Sequence, residues 1–252
     1  MDGIRWILRT GAPWRDVPEE IGKWSSVWDA FDRWNRDGTL AEILSRLMSS
    51  HVDVGLLRND VWLVDATIVR AARCAAGGGK EDDDDEPDDH GLGRSRGGFS
   101  TKIHLVADAQ GHPLAEKISP GQEHESQTLC ELLESVDVAN HDGKLVPLPE
   151  KLAADKWYRA DWIDEYLLEL GITPVIPSKA NQGREARVVE FDRATYRSRN
   201  IIERLIGWLK ECRRILTRFE KTAKNFFGII RVAFIHRYSG FLQLNLFRHS
   251  LD

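Results

Sequence analysis

The stretch VWLVDATIVR, residues 61–70, is a short apolar run that is rich in β-branched side chains. Such a run predicts a strand that is largely buried in a sheet. Asp65 stands in the middle of the run. A carboxylate in a buried strand is costly unless it is paired or bound to a metal. This stretch therefore predicts both the start of a sheet and a functional position within it.

Strand and helix patterns alternate after this first strand. STKIHLVADAQGHPLAEKISPG predicts a hairpin, SQTLCELLESV a helix, KLAAD a strand, ADWIDEYLLELG a second helix and TPVIP a short final strand. A chain that mixes strands and helices in this order predicts the α/β class, with a mixed sheet and helices that cover its faces.

The first 57 residues have a different pattern. WSSVWDAFDRWNRDG and TLAEILSRLMSSHV place aromatic and aliphatic residues at helical spacing, and a turn-rich connector precedes them. We therefore divide the chain into a small helical N-terminal region, residues 1–57, and an α/β domain, residues 58–252.

The composition is that of a globular protein, with 42% hydrophobic and 30% charged residues in a chain of 252. Its apolar runs are shorter than the ~18 residues that a membrane span requires. Three cysteines lie far apart, at positions 74, 130 and 212, and form no CxxC pair. This spacing indicates reduced thiols, and we expect a cytoplasmic protein.

Charge is distributed unevenly along the chain. The run EDDDDEPDD, residues 81–89, holds eight acids and no base, and the remaining residues carry a net charge of +3. We expect the surrounding loop, about residues 75–93, to be disordered. Residues 184–252 carry a net charge of +8, which indicates a surface that can meet nucleic-acid phosphates.

The segment YRSRNIIERLIGWLKECRRILTRFEK, residues 196–221, predicts one long helix with two distinct faces. Its apolar stripe consists of Ile202, Leu205, Leu209, Cys212, Leu216 and Phe219. Glu203 lies within a second, cationic stripe, whose other members are Tyr196, Arg199, Gly207, Lys210, Arg214 and Arg218. Either Glu203 is one half of an ordinary surface pair with Arg199, or it holds a metal while the bases beside it hold a polyanion.

Three acids occupy positions that could converge. Asp65 is inside the first strand, Asp155 ends a later strand, and Glu203 lies on the long helix. Strand ends and neighbouring helices of such sheets meet at one crevice. Carboxylates there could hold two hard cations for an in-line phosphoryl transfer. The spacing alone leaves the metal site and the surface salt bridge both open.

The four positions Tyr196, Arg199, Glu203 and Lys210 match the Y-R-E-K signature of one family. The chain resembles the DDE transposases of bacterial insertion sequences, in the insertion sequence five family. The similar segments are LRTGAPWRDVP, VDATIVRA, GRSRGGFSTKIHL, SPGQEHESQTL and LAADKWY. The resemblance covers nearly the whole chain and implies an RNase H-like fold for residues 58–252.

The same resemblance implies roles for individual residues. Asp65, Asp155 and Glu203 become the catalytic triad, which would bind two Mg²⁺ ions, with Mn²⁺ as a substitute. The residues expected at the DNA are Tyr196, Arg199, Lys210, Arg94, Arg96, Lys102 and Arg214. The first three correspond to the signature, and the other four are basic residues that we expect on the same side as the triad.

The implied activity is metal-dependent cleavage of DNA at the ends of an insertion sequence, followed by strand transfer into target DNA. The expected partners are double-stranded DNA and a second copy of the chain, without a membrane, at the bacterial nucleoid. Relatives usually have further residues before a stretch like MDGIRWILRTGAPWRD, so residues 1–57 would be an incomplete DNA-end-binding region. The alternatives are a two-metal nuclease without strand transfer and an inactive DNA-binding remnant.

Overall fold

In a computed structural model of the chain, residues 1–77, 86–95, 97–178 and 189–249 are described. Strand β1, Val61–Ala71, forms where the apolar β-branched run predicts it and lies inside the sheet. The other strands are β2 Gly93–Ser95, β3 Gly98–Asp108, β4 Pro113–Pro120, β5 Lys151–Ala154, β6 Thr173–Val175 and β7 Thr217–Arg218.

The sheet grows outward from both edges of β1. On one side β3 pairs with β1 and β4 pairs with β3, all antiparallel; the short β2 pairs with the start of β3. On the other side β5 pairs with β1 and β6 with β5, both parallel. The sheet thus has three antiparallel strands followed by two parallel ones, and helices flank it, which confirms the predicted α/β fold with a mixed sheet.

Nine α-helices are seen in the described part of the chain. They are α1 Asp2–Thr10, α2 Trp24–Arg36, α3 Thr39–Asp53, α4 Leu129–Glu134, α5 Asp161–Glu169, α6 Arg193–Tyr196, α7 Asn200–Glu211, α8 Arg213–Leu216 and α9 Ala223–His249. None of the described helices is long and apolar enough to cross a membrane.

The three N-terminal helices pack directly on the rest of the protein. Helix α3 lies along α9, and α1 contacts both α8 and α9. The buried side chains of Ile4, Phe31 and Leu40 belong to the same hydrophobic cluster as Trp62 of β1. The helical character predicted for residues 1–57 is present, and these helices share one core with the sheet.

The prediction of a single helix over residues 196–221 is wrong. Helix α7 ends at Glu211, and Cys212 has an extended backbone with ψ 95°. The short helix α8 follows, and β7 then runs parallel to the end of β1, with Thr217 opposite Arg70.

Buried contacts hold this segment in its non-helical path. The side chain of Arg218 is fully buried and donates hydrogen bonds to the carbonyls of His90, at 2.8 Å, and Glu220, at 3.0 Å. Leu216, assigned to the buried stripe, is half exposed, whereas Ile215 is buried in its place. The apolar spacing continues past Cys212, but tertiary contacts override it.

At least one acid of the loop predicted to be disordered, Glu86, packs against the rest of the protein. Residues 78–85 lie outside the described residues, but Glu86 is buried and accepts hydrogen bonds from the backbone N–H groups of Ala223 and Lys224, at 2.6 and 2.9 Å. Its carboxylate also pairs with His90 at 2.6 Å. Glu86 therefore accepts hydrogen bonds from two backbone N–H groups in the first turn of α9, where a negative charge is favoured by the helix dipole.

A buried acid beside α9 makes the stability depend on pH. Burial raises the pKa of Glu116 on β4 to about 7, although Arg231 of α9, 3.6 Å away, opposes that shift. A raised folded-state pKa means that this group stabilises the fold when protonated. That contribution is complete below the unfolded pKa near 4.5 and is lost as the pH rises through 7.

We therefore predict that the free energy of unfolding falls between pH 6 and pH 8, with a slope from this group of at most about 1.4 kcal/mol per pH unit. Glu116→Gln should flatten the dependence, whereas Glu169→Gln, at an exposed position on α5, should keep it. Urea titrations at both pH values measure the difference. An unchanged slope in Glu116→Gln would show that Glu116 is already ionised at pH 6.

Candidate active site

Two neighbouring parallel strands place Asp65 beside Asp155. The register of β1 and β5 ends with Val64 opposite Ala154, so the two acids are the next residues along their strands. Strand β1 continues past Asp65, whose Oδ1 accepts a hydrogen bond from the Ala66 backbone N–H at 2.9 Å. Asp155 directly follows the last residue of β5, and its Oδ1 accepts a hydrogen bond from the Trp157 backbone N–H at 3.1 Å.

Helix α7 supplies the third acid. Its buried residues Ile202, Leu205 and Leu209 recur at helical spacing and pack into the core beside β1. Glu203 follows the first of these residues in the sequence and is therefore in the first turn of α7, with an exposed side chain. The apolar face that fixes the helix thus also fixes the position of Glu203.

The guanidinium of Arg199 joins the three acids. Its Nη2 lies 3.1 Å from Asp65 Oδ2 and 3.7 Å from Glu203 Oε1, and its Nη1 lies 3.3 Å from Asp155 Oδ2. Arg199 precedes α7 in a short 3₁₀ turn and is 8% exposed. The sequence predicts a convergence of the three acids, and the structure places all of them around this one cation; we call Asp65, Asp155 and Glu203 the acid cluster.

The electrostatics of the acid cluster reflect burial and crowding. Burial raises the pKa of Asp65, and the charges of Asp155 and Glu203 raise it further, whereas the Arg199 charge and the Ala66 N–H lower it. Burial lowers the pKa of Arg199, but the Asp65 charge and a hydrogen bond to Tyr196 outweigh that effect, and the net shift is upward. Arg199 therefore remains charged and partly neutralises the acids.

The donor set fits hard divalent cations. Carboxylate oxygens are the ligands that Mg²⁺ and Mn²⁺ prefer. In the described residues, no group of three or more His, Cys, Asp or Glu side chains is arranged to hold a metal ion as it stands. The acid cluster has the required chemistry and a common centre, but its members converge on Arg199 rather than directly on one another.

Tyr196 lies against the same arginine. Its hydroxyl accepts a hydrogen bond from Arg199 Nη1 at 3.1 Å, and its ring lies 5.5 Å from the guanidinium carbon. The ring of Phe191 packs against the ring of Tyr196, with the two ring centroids 5.2 Å apart. The tyrosine and arginine of the signature therefore form one unit beside the acid cluster.

The other residues that the sequence assigns to DNA have different surroundings. Lys210 on α7 is partly exposed, and Arg94 is exposed with its guanidinium carbon 5.0 Å from the Phe99 ring. Lys102 is buried and donates to the Glu123 carbonyl at 2.7 Å, with Glu125 at 3.5 Å. Arg96 lies outside the described residues.

Arg214 faces inward rather than toward a ligand. It is buried, its Nε lies 2.6 Å from Glu220 Oε1, and its Nη1 donates to the Ala12 carbonyl at 3.0 Å. Its guanidinium carbon also lies 5.1 Å from the Phe219 ring and 5.8 Å from the Trp14 ring. The cationic stripe drawn from helical spacing thus ends before Arg214, because α7 ends at Glu211.

Three further residues near the acid cluster are not indicated by the sequence reasoning. Burial raises the pKa of Glu125, and the charges of Asp65 and Asp155 raise it further, so a fourth acid is close to the cluster. Tyr158 is fully buried, and its hydroxyl has no hydrogen-bond partner within the described segments. Trp157 follows Asp155 closely and is 61% exposed. Glu125 lies in SPGQEHES, and Trp157 and Tyr158 lie in LAADKWY, so the resemblance of these two segments to the family is the signal in the sequence that could have found them.

A groove lies on another part of the molecule, away from the acid cluster. Its volume is about 850 Å³, and its lining includes Leu44 of α3, Glu116 of β4 and Arg231 of α9. No member of the acid cluster lines it. The acid cluster and this groove are therefore separate features of the surface.

Two family models match the chain. Residues 57–237 match the model described as the transposase DDE domain, and residues 1–44 match "Putative transposase of IS4/5 family". The "Putative transposase for insertion sequence element IS6501" of Brucella ovis is 31% identical over 135 residues, which is 54% of this chain and 95% of that protein.

Two further relatives are covered over about half of their length. The "Putative transposase for insertion sequence element IS402" of Burkholderia cepacia is 29% identical over 49% of this chain and 55% of that protein. "Uncharacterized protein y4sN" of Sinorhizobium fredii is 36% identical over 30% of this chain and 56% of that protein.

Solved structures of the Mos1 transposase match the chain at low TM-scores. The paired-end complex with left transposon end has a TM-score of 0.29 at 11% identity, over 85% of this chain and 79% of that one. The strand transfer complex has a TM-score of 0.29 at 13% identity, over 94% and 75%.

The buried position of Arg214 gives a prediction about stability. Arg214→Gln leaves the Glu220 carboxylate buried without its cation, which should lower the free energy of unfolding by about 3–5 kcal/mol. Arg213→Gln, at the exposed neighbouring position, should change it by less than about 0.5 kcal/mol. Urea denaturation measures both. If Arg214→Gln kept full stability and lost only DNA affinity, Arg214 would be the DNA contact that the sequence predicts.

Proposed function

The chain belongs to the transposase DDE domain family, and we propose that it cuts DNA at the ends of an insertion sequence and joins the freed ends to target DNA. The observation that carries this proposal is the convergence of Asp65, Asp155 and Glu203 on one cation, Arg199. Carboxylates from two strands and a helix form a single anionic centre at an accessible surface. Such a centre suits phosphoryl transfer, which depends mainly on positioning and electrostatic stabilisation.

DDE transposases use divalent metal ions. We propose that Asp65, Asp155 and Glu203 hold two Mg²⁺ ions, or Mn²⁺ in their place. When bound, such ions neutralise the charge that develops on the attacking and leaving oxygens of an in-line displacement.

The residues around the acid cluster would bind and orient the DNA. Lys210 is on the same helix as Glu203, so it can contact a phosphate near the scissile bond when Glu203 faces the reacting centre. Arg94 is exposed in β2 and offers a second phosphate contact. Trp157, exposed beside Asp155, offers an aromatic face to an unstacked base.

The proposed partners are the inverted-repeat ends and a target duplex. Joining two ends in one event requires two acid clusters in the same complex, so we propose that the chain acts as a homodimer on DNA. Its place of action would then be the bacterial nucleoid.

Glu203→Gln tests the assignment of the reacting centre. The change keeps the size and hydrogen-bonding capacity of the side chain but removes a metal-binding charge. We predict that it lowers cleavage of a labelled end-containing duplex in Mg²⁺ by about 100-fold or more, with folding and DNA affinity retained. Removing a negative charge near the DNA should, if anything, strengthen binding.

Glu211→Gln, also exposed on α7 but outside the acid cluster, is the matched control and should cut like the parent protein. Cutting by Glu203→Gln at the parental rate would reduce Glu203 to a surface ion-pair partner. The same assay with unlabelled target DNA separates the alternatives: cleavage without joined product indicates a nuclease, and binding without cleavage indicates an inactive remnant.

A further inference from the structure

We propose that Arg199 is an internal counter-ion of the acid cluster, that divalent metal ions must displace it, and that the displaced guanidinium is then available to a DNA phosphate. This inference rests on the proposed function, because it concerns the same carboxylates. It adds a competition between one side chain and the metal, and hence a coupling between metal binding and DNA binding.

The first observation is the identity of the contacted oxygens. Arg199 uses Oδ2 of Asp65 and Oδ2 of Asp155, at 3.1 and 3.3 Å, and Oε1 of Glu203 at 3.7 Å. An ion shared by the three acids would need carboxylate oxygens from each of them. The guanidinium and the ion would therefore occupy overlapping positions, and the two cations cannot both bind at full strength.

The second observation is that Arg199 is incompletely satisfied where it lies. It is 8% exposed, yet its Nε has no hydrogen-bond partner in the described part of the chain. Its hydrogen bonds to Asp65 and Asp155, at 3.1 and 3.3 Å, are longer than the ~2.7–2.9 Å usual for charged groups, and its 3.7 Å contact with Glu203 is an ion pair without a hydrogen bond. A buried donor without a partner costs free energy, so this arrangement holds Arg199 less firmly than a bidentate pair would.

The third observation is the route out of the acid cluster. Arg199 lies at the end of a 3₁₀ turn, and its guanidinium already contacts Tyr196, through a 3.1 Å hydrogen bond to the hydroxyl and through the ring face. A rotation of the long side chain can keep the contact with Tyr196 while it leaves the acids. The planar fork would then face outward, where it suits a bidentate contact with phosphate.

Competition between Arg199 and the metal predicts that removing Arg199 raises the affinity of the chain for the metal. Damage to a structural residue weakens ligand binding, whereas removal of a competing cation strengthens it. Arg199→Gln should bind Mn²⁺ about tenfold more tightly than the parent chain, because the three acids lose their resident positive charge. Arg197→Gln, at an exposed position two residues earlier, removes the same charge without touching the acids and should change the affinity by less than about twofold.

The experiment is a Mn²⁺ titration of the full chain without DNA, followed by electron paramagnetic resonance of the free ion. Asp65→Asn is included as a third variant and should lose most of the binding. If Asp65→Asn binds Mn²⁺ as the parent does, the metal site of the proposed function is wrong. If Asp65→Asn loses binding but Arg199→Gln binds no more tightly than the parent, the metal site stands and the counter-ion is refuted.

If Arg199→Gln does not fold, the same Mn²⁺ titration of Arg199→Lys tests the competition. A single ammonium cannot contact all three acids with the geometry of the guanidinium fork, so it should compete less well. The affinity of Arg199→Lys for Mn²⁺ should exceed that of the parent. Equal or weaker binding in a folded Arg199→Lys chain would refute the competition.

The coupling to DNA has its own measurement. Binding of an end-containing duplex is titrated with salt, with Ca²⁺ and without a divalent ion. For the parent, Ca²⁺ should steepen the salt slope by about one unit, because Arg199 becomes a phosphate contact. Arg199→Gln should show no such increase, and an equal increase in both proteins would contradict the release of Arg199.

Discussion

Mutual repulsion among Asp65, Asp155 and Glu203 is the constraint on which the site depends. Two adjacent strands and one helix bring three carboxylates together, and one of them is buried enough to have a raised pKa. An arrangement of this kind is stable when a cation lies among the acids. Arg199 supplies that cation, and the turn that presents it leads directly into the helix that carries Glu203.

Two structural features hold the three acids together: the pairing of β1 with β5 and the packing of α7 beside β1. The register of β1 and β5 fixes two acids as neighbours, and the buried face of α7 fixes the third relative to β1. Helix α9 and the N-terminal helices complete the core behind them. Residues that hold these helices, such as Glu86 at the start of α9 and Arg214 beside α1, therefore support the site without taking part in it.

The elements that the sequence predicts correctly are those that a local residue pattern determines. Periodicity and residue type are enough to predict strand β1 with Asp65 inside it, the β3–β4 hairpin, strand β5 just before Asp155 and the buried face of α7. The sequence does not predict the break at Cys212, because the apolar spacing continues across it while buried contacts of Arg218 redirect the chain.

The inward direction of Arg199 is likewise absent from the local pattern, because its partners Asp155 and Asp65 lie 44 and 134 residues away. From the sequence, Arg199, Arg214 and Lys210 are equivalent members of one basic stripe. Only their tertiary partners distinguish a counter-ion of the acids, a buried structural cation and a partly exposed lysine.

The central claim is that Asp65, Asp155 and Glu203 form one divalent-metal site. Crystals of the full chain grown with Mn²⁺ and measured at the manganese absorption edge test it most directly. We predict anomalous peaks within metal–oxygen bonding distance, about 2.1 Å, of oxygens from these three side chains, with the Arg199 guanidinium moved away from Asp65. Peaks at other residues, or an acid cluster that still holds Arg199 at saturating Mn²⁺, would contradict it.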